Sequence, residues 1–276
     1  MNCFQIIKGV LDEAYNDIEG SEAEKDEFIL DALEDLREQY SKLLKGIDID
    51  YSYPVTRFAY IYAYVTSHAN IVCSVIEKSH DLKLLFDKNK VNVACIGGGP
   101  GSDFLGILKY LMLNDKKTTI KFQLCDREKT WAESWSDVDD KVDPEFRIST
   151  SYLPLDVTDP KDWKNHTKYL QSDLFTMIYF MSEVRAFRDN VDAYFENLFK
   201  SAKSGALFLF VDNNNSNFYD WFDELAKKHG VQIIESKETS MIPPSDENKY
   251  DLCEYYDKFT YPKLKANVAY RIGRKL

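Results

Sequence analysis

The sequence has no C-x-x-C pair, no basic run, no basic stretch ahead of an apolar N-terminal segment and no internal repeat. Its five thiols, Cys3, Cys73, Cys95, Cys125 and Cys253, are odd in number and widely spaced. A disulfide-stapled framework and a thiolate zinc site are thereby excluded, and a reducing, cytoplasmic setting is expected. No cluster has metal-ligand spacing, so no metal is expected. Basic residues are outnumbered, 35 Lys and Arg against 46 Asp and Glu, for a net charge of −11. A grip on phosphates needs clustered cations, so a nucleic-acid partner is not expected. Without a basic leader no secretory signal is expected either. Between Arg57 and Glu77 there is no charged residue, a run long enough to suggest a membrane span. Thr66, Ser67, His68 and Asn70 sit at its centre, however, and its apolar content is largely Tyr and Ala. A buried helix of a protein without membrane attachment is the expectation.

What is present is core-forming material: 276 residues, 44% apolar and 14% aromatic. Two zones differ in period. Residues 1–90 read as a helical N-terminal extension. Ser21 to Glu24 has capping-box spacing, and Ile29, Leu33, Leu36, Tyr40 and Leu43 follow at intervals of three to four, ending near Gly46. A second helix is expected over Val55–Lys78, behind Pro54. From Val91 short β-rich runs alternate with helical stretches: strands over Val91–Ile96, Thr119–Cys125, Thr150–Leu155, Leu174–Met181, Ala206–Val211, Val231–Glu235 and Asn267–Ile272. Residues 91–276 therefore predict an α/β fold, a doubly wound and mainly parallel seven-stranded sheet closed by an antiparallel C-terminal hairpin strand. In such sheets ligands bind at the carboxyl ends of the strands, beside the switch point.

The most informative stretch is Val91-Asn-Val-Ala-Cys-Ile-Gly97-Gly98-Gly99-Pro100-Gly101-Ser102-Asp103. Glycines at a strand end let the backbone turn tightly and approach a ligand, and the helix behind them offers free N–H groups. A P-loop is excluded because no Gly-Lys-Ser/Thr follows. The dinucleotide pattern G-x-G-x-x-G fails at Ser102, whereas G-x-G-x-G fits Gly97, Gly99 and Gly101.

That stretch resembles the first motif of class I S-adenosylmethionine-dependent methyltransferases. The resemblance extends over residues 91–276 as an ordered series, and it implies S-adenosyl-L-methionine as cofactor. Asp126, followed by Arg127, ends the second strand, where the family places an acid on the ribose hydroxyls. Asp156, before Val157, ends the third, where an acid accepts from the adenine amino group. Met181, Ser182 and Glu183 end the fourth, where residues beneath the cofactor and facing the substrate lie. The resemblance thus assigns Gly97, Gly98, Gly99, Pro100, Gly101, Asp126, Arg127, Asp156, Val157, Met181 and Ser182 to cofactor binding. One position departs: the acid expected two residues before the first glycine is Cys95, and Asp103 is the candidate to replace its charge. Trp131 and Trp135 share a helical face, either as an aromatic wall beside adenine or as core.

Catalytic candidates are fewer. Glu183 and Ser182 are placed by topology, with Arg185 nearby. Tyr60, Tyr64 and His68 recur every four residues, and an N-terminal helix in this family type often forms a lid over the cofactor; Tyr64 and His68 are then candidates, His68 as base. The acidic, aromatic stretch Pro243–Tyr261 is long for a hairpin and is expected to shape the acceptor pocket. The reading these features favour is methyl transfer to a small-molecule acceptor. The alternatives are a ribosomal RNA methyltransferase, against which stand the charge and Met181-Ser182-Glu183-Val184 in place of Asp/Asn-Pro-Pro-aromatic, and a non-catalytic cofactor sensor acting through a protein partner. Neither the acceptor atom nor the oligomeric state is legible.

Overall fold

Charge-rich amphipathic sequence folds first as helices. The computed structural model describes residues 1–46, 49–259 and 262–276. In it α1 (Cys3–Asn16), α2 (Glu22–Tyr40), α3 (Pro54–Tyr60), α4 (Thr66–Lys78) and α5 (His80–Phe86) precede the first strand. At the start of α2 the Ser21 backbone N–H donates to the Glu24 carboxylate at 2.9 Å, as the capping-box spacing predicts. The helix stops at Tyr40, and a short 3-10 turn, Leu43–Lys45, carries the chain to Gly46 at φ +81°. A π-helical turn, Ile61–Val65, joins α3 to α4, so the charge-free run is one helical path behind Pro54. Such turns mark helices whose side chains are re-aimed for a site. Helix α1 was outside the sequence expectations, although Phe4, Ile7, Val10 and Leu11 give it a buried stripe at helical spacing.

Beyond it the alternation holds: β1 (Lys90–Ile96), α6 (Ser102–Leu113), β2 (Thr119–Asp126), α7 (Trp131–Val142), β3 (Ile148–Pro154), α8 (Pro160–Asn165), β4 (Leu174–Ile178), α9 (Phe180–Val184), α10 (Arg188–Ser201), β5 (Leu207–Asn213), α11 (Ser216–Lys228), β6 (Val231–Met241), α12 (Glu254–Lys258) and β7 (Ala266–Lys275). The strands form one sheet in the order β3-β2-β1-β4-β5-β7-β6. Strands β1 to β5 pair in parallel, and β7 runs antiparallel to both β5 and β6. The order reverses between β1 and β4, which sets the switch point there.

Alternate residues of the central strands feed two cores. Val91, Val93 and Cys95 of β1 join the N-terminal helices, α6 and α7 on one face, whereas Ala94 and Ile96 join α10 and α11 on the other. The N-terminal helices therefore share a core with the sheet. Within it Lys109 of α6 is buried against Glu247 at 2.6 Å, and the Glu247 carboxylate also accepts the Cys3 N–H at 3.0 Å. That pair ties the segment after β6 to the first turn of α1.

One strand is shorter than predicted. β4 ends at Ile178, because Tyr179 takes a left-handed φ of +58° that turns the chain into α9. Bulky residues rarely adopt that region. Met181 and Ser182 thus stand in a short helix and not in the strand. No helix among the described residues is long and apolar enough to cross a membrane.

Candidate active site

The glycine turn is held from two sides. Its residues Gly97, Gly99 and Gly101 have φ of +60°, +47° and +91°, a region in which side chains are strained. The Gly99 N–H donates to Asp126 Oδ2 at 3.0 Å, and Trp135 Nε1 donates to the Gly99 carbonyl at 2.9 Å. Trp135 itself lies flat on Phe104, 4.7 Å between centroids. The two tryptophans therefore divide the two roles weighed for them: Trp135 braces the turn, and Trp131 lines the cavity in front of it. A Cβ on Gly97 would stand 2.1 Å from the Phe180 ring, while one on Gly99 would meet nothing within 4 Å among the described residues. Gly99 faces open space because the cavity begins there.

That cavity, of about 460 Å³, runs across the carboxyl ends of β1 to β4. Gly97, Gly99 and Pro100 floor it; Asp126 and Arg127, then Asp156 and Val157, follow along one side. Asp126 accepts the Gly99 and Glu128 N–H groups, and burial pushes its carboxyl up to about 6. Asp156 accepts from the N–H and the hydroxyl of Thr158 at 2.8 and 2.7 Å. Each carboxylate keeps acceptor capacity beyond these bonds. A glycine floor open at Gly99, with one acid ending β2 and one two residues past β3, offers acceptors that suit the hydroxyls and amino group of a ribonucleoside.

The opposite wall carries the reactive candidate. Glu183 accepts from Tyr40 Oη at 2.9 Å and from Tyr51 Oη at 3.3 Å, and the two hydroxyls lie 2.6 Å apart. Burial raises its carboxyl to about 7, against the lowering effect of the Tyr40 hydrogen bond. Glu183, Tyr51, Tyr60 and Gly99 line the same cavity. A carboxylate poised near neutrality has the pKa that proton abstraction favours. Sequence reasoning missed Tyr40 and Tyr51 as its partners, because they precede Glu183 by more than 130 residues and nothing local pairs them. It also missed Asp212 at the end of β5, buried and raised to about 6 by desolvation, which accepts the Ser182 N–H at 2.8 Å. An acid directly closing the apolar run Leu207–Val211 was the available signal.

Several expected site residues stand elsewhere. Asp103 is buried against the sheet, where its carboxylate takes the Thr176 hydroxyl and neighbours the Cys95 thiol. It does return a carboxyl to the Cys95 position, but beneath the turn and outside the cavity wall. Gly98 is required by packing, since a Cβ would stand 2.9 Å from both Cys95 and Leu124; Gly101 presses on Trp135. Met181 and Ser182 are buried in α9, and the Ser182 hydroxyl donates to the Tyr179 carbonyl. Tyr64 and His68 line a second cavity, of about 500 Å³, which shares Leu43, Tyr60 and Tyr179 with the first. The His68 ring stacks on Tyr179, 3.8 Å between centroids, and burial holds its pKa well below the usual histidine value. So weak a base is poorly suited to take a proton. Pro243–Tyr261 begins against α1 and α6; Thr260 and Tyr261 lie outside the described residues.

No protein-family model and no curated protein matches the sequence. Solved structures do match. One is described as a candidate RNA methyltransferase from Pyrococcus horikoshii, 13% identical, covering 87% of this chain and 98% of its own, at TM-score 0.44. A second is a SAM-dependent methyltransferase from Methanosarcina mazei, 11% identical, covering 68% and 94%, at TM-score 0.42. A third is a precorrin-6y C5,15-methyltransferase from Geobacter metallireducens, 13% identical, covering 75% and 88%, at TM-score 0.41. By its own strand order, the reversed β7 and the glycine turn that ends β1, the chain has the fold of class I S-adenosylmethionine-dependent methyltransferases.

Proposed function

We propose that the protein transfers a methyl group from S-adenosylmethionine to a small-molecule acceptor, with Glu183 as the proton acceptor. The observation that carries this reading is that Glu183 lines the same cavity as Gly99, Asp126 and Asp156. When bound, S-adenosylmethionine supplies a methyl group already activated by a sulfonium charge. Gly97 and Gly99 would admit its methionine end, Asp126 its ribose hydroxyls and Asp156 its adenine. The protein's own tasks are then to align the acceptor, exclude water and remove a proton. Glu183 would take the proton the acceptor loses as its electron pair displaces the sulfur from the methyl carbon, the broken carbon–sulfur pair leaving on the thioether. Tyr40 and Tyr51 keep Glu183 in place, and through them the N-terminal helices become part of the site; residues 1–90 would act as its lid and not as a separable unit. A net charge of −11 favours a free small molecule over RNA.

The test is transfer of labelled methyl from S-adenosylmethionine into a cell extract fractionated by size. Label in the low-mass fraction supports the proposal. Label in the RNA fraction would overturn the acceptor class, and binding without transfer into any fraction would leave a sensor.

A further inference from the structure

Resting on the reading above, we infer that the second cavity is the acceptor site and that it takes a planar aromatic molecule bearing a carboxylate or phosphate. The cavity meets the first along Tyr60 and Tyr179, at the carboxyl ends of β4 and β5, so a ligand in one abuts a ligand in the other. Its volume of about 500 Å³ falls within the range of small-ligand pockets.

Charge argues for the anion. Acids outnumber bases across the whole chain, yet among the described residues this cavity is lined by Arg37 and Lys263 and by no Asp or Glu. Lys263 lies between β6 and β7, fixed by its backbone N–H to the Ala63 carbonyl at 2.9 Å. Its ammonium stands 4.7 Å from the Tyr179 ring centroid and 5.7 Å from that of Tyr64. It forms no ion pair among the described residues: Asp212 acts on it only across a distance, and that carboxylate is bonded to the Ser182 and Asn213 N–H groups. A cation held in a desolvated wall without a carboxylate is costly until an anion completes it.

Shape and polarity argue for the ring. Tyr64, His68 and Tyr179 stack in series along the cavity wall, and the Phe218 ring lines it as well. Within that wall His68 Nε2 and Tyr179 Oη are buried without a hydrogen-bond partner among the described residues, and Asn213 and Asn215 supply amides at the β5 end. Flat rings gain from such walls by stacking, and the few polar groups fix orientation.

Calorimetry on the full chain separates the possibilities. The probes are 4-hydroxyphenylacetate, 4-hydroxyphenylacetamide and tyramine, one phenol in three charge states, with uridine 5′-monophosphate as a phosphate-bearing ring. Each is titrated in the presence of S-adenosylhomocysteine. Either anion should bind roughly tenfold or more tightly than the amide, and tyramine most weakly, as a partly buried charge contact implies; the tighter anion identifies the carboxylate or the phosphate as source. Lys263→Met should reduce that preference to about twofold or less while leaving S-adenosylhomocysteine affinity unchanged. A flat or reversed order, no binding by any probe, or a preference that survives Lys263→Met overturns the inference. Failure of S-adenosylhomocysteine itself to bind would instead overturn the proposed function.

Discussion

The two cavities are built from different kinds of sequence. The first is made of what a chain must do at strand ends: glycines that turn, an acid that ends β2 and one two residues past β3. That part of its wall comes in chain order, each contributor close in sequence to the strand that positions it, while Tyr51 and Tyr60 join it from the N-terminal segment. The second is assembled from Arg37 on α2, Tyr64 and His68 on the third helical path, Asn213 after β5 and Lys263 before β7. Only Tyr64 and His68 share a local pattern; the other groups come from elements far apart in the chain. The turn and its acids are thus written locally, whereas the second cavity exists only once the N-terminal helices close over the sheet. Glu183 lines the first cavity and is held at the boundary by Tyr51 of that cavity and Tyr40 of the second.

The sharpest way to break the comparison is at the turn. Gly99→Val should abolish S-adenosylhomocysteine binding in a folded protein, because its side chain would enter the cavity from a backbone at φ +47°; retained binding by calorimetry would make the turn purely structural. Next comes the boundary. Glu183→Gln should lower turnover by about 10²- to 10⁴-fold, the range for a lost general base, with cofactor affinity kept. In the parent protein turnover should rise with pH to a plateau above about 7, as Glu183 ionises. Stability should run the other way. Asp126 and Asp212 move from an ordinary 3.8 to about 6, and Glu183 from 4.5 to about 7. The folded chain then binds more protons than the unfolded one between those limits, so these groups favour folding at the acid end and that contribution is lost as pH rises through 6 to 7. Thermal melts from pH 5 to 8 would reveal it, and Glu183→Gln should flatten the decline.

Asp126→Ala should weaken S-adenosylhomocysteine binding by about 1.5–3 kcal/mol, the value of a charge-assisted bond; an unchanged affinity would remove Asp126 from the site. His68→Ala should cost about 1–3 kcal/mol of stability through its lost stack on Tyr179, and raise the acceptor's KM while leaving kcat per folded molecule intact. A large fall in turnover at constant stability would restore His68 as a base. Smallest in rate is Tyr40→Phe. Its hydroxyl lowers the Glu183 pKa, so the midpoint of the pH–rate curve should move upward with little change at the plateau.

How far the sequence can be read follows the same division. The strands and the turn were legible because buried parallel strands are apolar runs, and because positive φ demands glycine at Gly97, Gly99 and Gly101. Asp126 and Asp156 were legible by position, since a strand end fixes where they point. Met181 and Ser182 were misplaced because the left-handed Tyr179 is invisible in an apolar run that extends past it. The sequence offers Asp103 to replace the charge missing at Cys95; its carboxyl takes the Thr176 hydroxyl beside the Cys95 thiol, beneath the turn, because the sheet under the helix start claims it. Tyr40, Tyr51 and Lys263 escaped entirely. Their roles depend on contacts between elements far apart in the chain, and no periodicity records those.

The most direct test is calorimetry of the unmodified protein with S-adenosylhomocysteine, S-adenosylmethionine and NAD. The account predicts that both sulfur ligands bind and NAD does not, since the G-x-G-x-G turn with Asp126 and Asp156 in series suits a nucleoside with an amino-acid tail. NAD binding with no response to either sulfur ligand would contradict it.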